Sequence, residues 1–201
     1  MPDTGAPWNI PYVASTDLVS DWPTDSQDLA EAVADGLDAA RGLVAVKHAL
    51  FTGTQTNSTA SGADFAVTDL SITHTLADSS NKLIISAYFG AAANSAGKGE
   101  VGIAVADDGT LIGLGDAVGS RIRVGAGGIV ASSASETNVA SMPSVTFVYE
   151  PGDTNSHTYT VRAINIRSDT RTLYINRSED DANSANRFRA SSGFVIQEVN
   201  V

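Results

Sequence analysis

Three histidines, His48, His74 and His157, are the residues best suited to proton transfer or metal ligation in this chain. Each falls in or beside a strand-like pattern, and none has a second histidine at metal-ligand spacing. They read as structural or solvent-facing side chains. No Gly-x-Ser-x-Gly stands at a strand-to-helix turn, so an esterase-type nucleophile has no support. The glycines of Gly113-Leu114-Gly115-Asp116-Ala117-Val118-Gly119 fall out of step with a dinucleotide fingerprint, and no helical pattern follows them. They read as glycines at strand turns. The absence of cysteine excludes disulfides and thiolate metal sites. No catalytic, cofactor-binding or metal residue is expected.

The polar stretch 177–187, RSEDDANSANR, is the most chemically dense segment. Asp180-Asp181-Ala182-Asn183 offers carboxylate and amide oxygens of the kind that hold Ca²⁺, but the spacing misses the EF-hand pattern. A solvated loop is expected, with Ca²⁺ unsupported. Arg177, Asp180, Asp181, Asn183 and Arg187 are the candidates for contact with a glycan or receptor, because long loops on a β scaffold commonly carry binding. Arg121 and Arg123 share one strand face, and Arg187 and Arg189 repeat the spacing. These arginines could meet acids across strands or subunits, or anionic surface glycans. A carboxylate pair for glycoside hydrolysis depends on a separation in space. No concentrated acid pair sits among aromatics, which make up only 6% of the chain.

The elements that must position these residues are strands. From Leu43 the apolar period approaches two, with expected strands at 43–51, 64–76, 81–90, 99–106, 110–114, 120–125, 144–150, 157–167, 171–176 and 188–200. Turn signals separate them, and Asp108-Gly109 between apolar runs predicts a tight hairpin. The stretch 125–143 reads as a long loop. Eight to ten strands without an interrupting helix predict an antiparallel β-sandwich or jelly roll. Some strands are apolar on both faces: Leu83, Ile85, Ala87 and Phe89 oppose Ile84 and Tyr88, and Phe194 and Ile196 oppose Val195 and Val199. A lone sandwich wets the outer face of each sheet, so this pattern predicts a subunit interface on one sheet.

Residues 1–42 differ from the rest. Pro7, Pro11 and Pro23 impose extended geometry on 1–23. Trp8, Ile10, Tyr12, Leu18 and Trp22 would form an exposed apolar strip unless they packed back on their own domain or docked onto a neighbouring subunit or larger scaffold. The second is favoured, because extended Pro-rich arms pack poorly on a compact domain. Residues 24–42 read as a short helix. Thr24 and Gln27 suggest a capping box, Leu29, Val33 and Leu37 form a narrow apolar stripe, and Gly42 is a stop signal. Alone such a helix is marginal. Three copies around an axis, or one helix lying on the β body, would both stabilise it. The chain thus divides into an arm (1–23), a helical neck (24–42) and a β head (43–201).

A chain of 201 residues accommodates one ordinary domain with an appendage. The net charge of −11 opposes non-specific nucleic-acid binding. Eight acids and one base give residues 1–42 a charge of −7, so the leader is an acidic arm. No apolar run approaches the ~18 residues that span a bilayer. Met1-Pro2-Asp3 lacks the basic and apolar regions of a signal peptide. Neither membrane insertion nor signal-directed secretion is expected.

The opening PWNIPYVASTDLVSDWPTDSQDLAEAVADGLDAA resembles the start of many minor tail proteins of tailed bacteriophages, especially those that infect actinobacteria. The segments LSITHTLADSSNKLIIS, GLGDAVGSRIRV, YEPGDTNSHTYTVRAINIRSDTRTLYINRSE and SSGFVIQEV are similar to tip domains of tail fibres or head fibres. The resemblance implies a homotrimeric, jelly-roll-like β-sandwich displayed on the virion and no catalysis. It makes residues 1–23 the arm that attaches to other tail or capsid proteins, and the helix a trimer neck. Host-surface glycan is the expected external partner. A capsid decoration or head-fibre protein is the alternative, and a glycan-degrading tail enzyme a more distant one.

Overall fold

The computed structural model describes residues 22–39, 42–93, 100–129, 141–185 and 187–200. The chain divides near Val44 into an N-terminal unit and a β unit. Among the described residues, no helix is long and apolar enough to cross a membrane.

The N-terminal unit contains α1 (Trp22–Ala39). The helix starts two residues before Thr24. Trp22 and Pro23 therefore lie in its first turn, not in an extended arm. Proline is tolerated there because a first-turn N–H has no intrahelical acceptor to lose. Gln27 donates to Glu31 Oε1 at 2.8 Å, an i,i+4 bond along the helix surface in place of a reciprocal cap. Leu29, Ala32 and Gly36 are half-buried, whereas Val33 is 41% exposed. The partly covered stripe is therefore offset from the Leu29-Val33-Leu37 line, and the Leu37 side chain lies outside the described residues, as do Trp8, Ile10, Tyr12 and Leu18.

The β unit is mainly β and antiparallel, as expected of a β-sandwich. A four-stranded sheet has the order β1 (Leu43–Phe51), β12 (Ser192–Val199), β4 (Lys82–Tyr88), β9 (Ser144–Tyr149). A five-stranded sheet runs β3 (Asp64–Thr75), β10 (Ser156–Asn165), β6 (Glu100–Asp107). The far edge of β6 is shared by β7 (Thr110–Ile112) and β8 (Ala126–Ile129). A third, small sheet orders β2 (Gln55–Thr59), β11 (Arg171–Ile175) and β5 (Ala91–Ala93). One apolar core joins them, with Leu83, Ile85, Phe194 and Ile196 from the four-stranded sheet meeting Leu70, Ile72, Ile103 and Val161 from the five-stranded one. Burial of several such side chains, each worth roughly 1.5–3 kcal/mol, is the main stabilising term.

Two local devices set the register. In β3 the buried residues are Phe65 and Val67, then Leu70, Ile72 and His74, so the inward phase slips by one residue. The pairing with β10 shifts by three residues there, from Thr160–Ser71 to Arg162–Ala66, and Asp69 within the bulged stretch adopts φ 59°. This is a bulge that lets both halves of a long strand face the core. At the β6–β7 hairpin, Asp107 pairs with Thr110 while Asp108 and Gly109 adopt φ 45° and 88°, the left-handed pair that the Asp-Gly signal predicts.

Strand placement departs from expectation at three points. β2, β5 and β8 are additional strands. Residues 120–125 are irregular, and β8 instead supplies the pairing to β6. The expected loop 125–143 therefore begins as a strand, Ser141 bridges back to Ala91, and 130–140 lie outside the described residues.

Candidate functional site

The loop that follows β11 gathers all five candidate residues from 177–187. Arg177 and Arg189 form a backbone bridge at its base. Arg187 pairs with Asp180 at 2.6 Å, Arg189 with Asp181 at 2.7 Å, and Arg177 with Asp181 at 3.6 Å. Arg177 also lies 5.0 Å over the Tyr174 ring and donates to the Ser178 and Glu179 carbonyls. The Arg187 guanidinium beside Asp180 is the main reason its carboxyl lies below the ordinary value. Asn183, Arg187, Phe188 and Arg189 border a depression of about 270 Å³. The carboxylates of Asp180 and Asp181 are occupied by arginines, and that pairing competes with cation capture. The loop is a charge-matched latch with Asn183 exposed at its rim.

A second polar cluster forms where the β6–β7 hairpin meets β9 and the start of β10. His157 is held on both sides, Nδ1 against Asp107 at 2.8 Å and Nε2 against Asp153 at 3.0 Å. Tyr149 donates its hydroxyl to Asp107 Oδ2 at 2.8 Å, and the His157 ring stacks on Tyr159. Hydrogen bonding to Asp153 outweighs burial and, with Asp107, raises the His157 pKa above its ordinary 6.5. Burial, reinforced by the bond to Asp107, pushes Tyr149 up to about 12. Asp107, Asp108 and His157 bring three potential metal-ligand atoms within 4.8 Å of one another. Two carboxylates on the two ring nitrogens favour imidazolium, which has no lone pair for a metal. Sequence spacing hides this cluster, because its members come from β6, β9, β10 and two turns.

The remaining histidines differ. His48 is exposed on β1. His74 is buried and bonds Glu198 Oε2 through Nε2 at 2.8 Å. The Asn81 amide (2.6 Å) and the Ala77 N–H (2.8 Å) fill Glu198 Oε1. This is a core clasp.

The outer face of the four-stranded sheet is apolar. Inward-facing Leu83, Ile85 and Ala87 leave Ile84, Ser86 and Tyr88 outside, and β12 turns Val195, Gln197 and Val199 the same way. Cross-strand rows place Val195 beside Ser86 and Thr146, and Ile84 between Gln197 and Val148. Val148 is 60% exposed, and on β1 Val46 is 51% and Leu50 58% exposed. Tyr88 lies across Gly193, where an added Cβ would come within 2.6 Å of its ring. At one rim Lys82 pairs with Glu150 at 2.8 Å. Ser86 and Thr146 share a hydrogen bond of 3.0 Å across β4 and β9, so the face interleaves exposed aliphatic side chains with hydroxyl and amide groups, a composition found in protein interfaces.

A third feature is a cleft of about 460 Å³ between the β2–β3 turn, the irregular segment 119–124 and the turn after β10, lined by Ser61, Ser120, Arg121, Ile122, Ile166 and Ser168.

No family model matches the chain, and no curated protein matches it.

Proposed function

We propose that this chain is a structural protein of a phage virion, a minor tail or fibre protein that displays a homotrimeric β head for attachment to the host surface. The structural observation that carries the reading is the apolar outer face of the four-stranded sheet, which a displayed monomer would leave in water. Packing against further copies of the chain removes it from solvent. The acidic, tryptophan- and proline-rich leader supports attachment of residues 1–23 to other virion proteins.

The reading assigns no catalysis. The titratable groups at Asp180–Arg187, His157–Asp107 and His74–Glu198 pair with one another, which suits structural roles better than proton transfer to a substrate. The charge-matched loop 177–189 and the neighbouring turns are the surfaces offered to host glycan.

Deletion of residues 1–23 tests the assignment. The truncated head should fold and fail to enter particles. Incorporation at the normal level would remove the anchoring role.

A further inference from the structure

We propose that the cleft around Arg121 binds a carboxylate-bearing sugar. The inference rests on the host-surface reading for the source of that sugar, while the site itself stands on its own residues.

Its volume, about 460 Å³, falls in the range of roughly 300–1,000 Å³ typical of small-molecule sites. Its lining is divided by chemistry. Ile122, Val124 and Ile166 are half-buried and form an apolar floor suited to the C–H face of a pyranose ring. Ser61, Ser120 and Ser168 are exposed hydroxyls suited to ring hydroxyl groups. Arg121 supplies the charge.

Arg121 is unusual in this molecule. Arg162, Arg167, Arg171, Arg177, Arg187 and Arg189 each pair with a carboxylate, and Arg123 donates to the Gly115 carbonyl. Among the described residues, the Arg121 side chain makes no hydrogen bond or ion pair, although the chain has 23 acids against 12 bases. An unspent guanidinium offers two parallel N–H donors to one carboxylate. A single cation suits a monoanion better than a phosphate dianion.

The walls are held before any ligand arrives. Asn165, fully buried, donates to the carbonyls of Thr59 (2.8 Å) and Asp169 (2.7 Å) and accepts the Arg167 N–H (3.0 Å). Gly62, at φ +69°, donates to the Asn165 carbonyl at 2.9 Å. One side chain thus fixes both turns that present Ser61 and Ser168. Gly102 lacks the Cβ that would collide with Val124 and crowd Ile166, so the floor packs directly on β6. Such preorganisation lowers the ordering cost of binding.

The test is titration of the full chain with sodium glucuronate, followed by calorimetry and backbone amide NMR, with glucose and inorganic phosphate as controls. Glucuronate should saturate with a dissociation constant on the order of 1 mM and shift amides at 61, 120–124 and 166–168. Glucose should bind about tenfold more weakly, and Arg121→Ala should lose about tenfold in glucuronate affinity. Because Arg121 is exposed and unpartnered, the variant should keep the wild-type melting temperature. No saturation, unchanged affinity in Arg121→Ala, or tighter binding of phosphate than of glucuronate would overturn the site. Adsorption of particles to host cells separates the two readings. Normal adsorption by Arg121→Ala particles whose parent head binds glucuronate leaves the site standing and removes its part in attachment.

Discussion

His74 Nε2 and Glu198 Oε2 lie 2.8 Å apart inside the core, joining β3 of the five-stranded sheet to β12 of the four-stranded one. Burial opposes ionisation of Glu198, but bonds from Asn81, the Ala77 N–H and His74 outweigh it and hold the carboxyl below its ordinary value near 4.5. The stability this contributes is present above pH 4.5 and lost as pH falls through the lower folded value. Glu198→Ala should cost about 3 kcal/mol, since it strands three buried donors. Glu198→Gln should cost less, because His74 can present an unprotonated Nε2 to the amide, and it should flatten the acid limb. Denaturant melts at pH 3 to 7 measure both.

His157 should titrate above 6.5. The groups that face it are Asp107, Asp108, Asp153 and, through Asp107, Tyr149, with His74 as its cross-strand neighbour. A raised folded pKa means that its contribution is complete below 6.5 and is lost as pH rises through the folded value. An NMR titration of the His157 ring gives the midpoint directly. A midpoint at or below 6.5 contradicts the clamp.

Asn176 is a buried hub at φ 60°, donating to the carbonyls of Phe51 (2.9 Å) and Gly53 (3.1 Å) and accepting from Ser192 at 2.7 Å. Asn176→Ala loses these bonds and meets a left-handed backbone, so a loss of about 2–4 kcal/mol is expected in urea melts. Asn176→Gly should recover only the backbone part, a few tenths to about 1 kcal/mol.

Leu50→Lys and Val148→Lys place charge on the apolar sheet face. Both side chains are mostly in water in the single chain, so the fold should change by about 0.5 kcal/mol or less. Assembly should fail. Light scattering of the wild type should give the mass of a trimer of the 20.7 kDa chain, and of the double variant a monomer. A wild-type monomer at micromolar concentration counts against the interface.

Much of the sheet scaffold was legible because apolar alternation is a burial signal. β1 falls on 43–51 as expected, and the double-sided pattern at 83–89 and 194–199 foreshadows the apolar outer face. β2 was hidden because Gln55-Thr56-Asn57-Ser58-Thr59 has no apolar member, and β5 because three alanines have no period. At 120–125 the Arg-Ile-Arg-Val alternation imitates a strand, yet Arg123 donates to the Gly115 carbonyl and the Val124 carbonyl accepts the Gly115 N–H, which closes a local loop instead. The 177–187 cluster showed itself by local charge density. The Arg121 cleft did not, because Ser61 and Ser168 reach it from turns distant in sequence.

The decisive measurement is electron microscopy of particles carrying a label on the β head. Label is expected at the tail and should be lost when residues 1–23 are deleted. Label spread over the capsid shell, or particles without label, would contradict it.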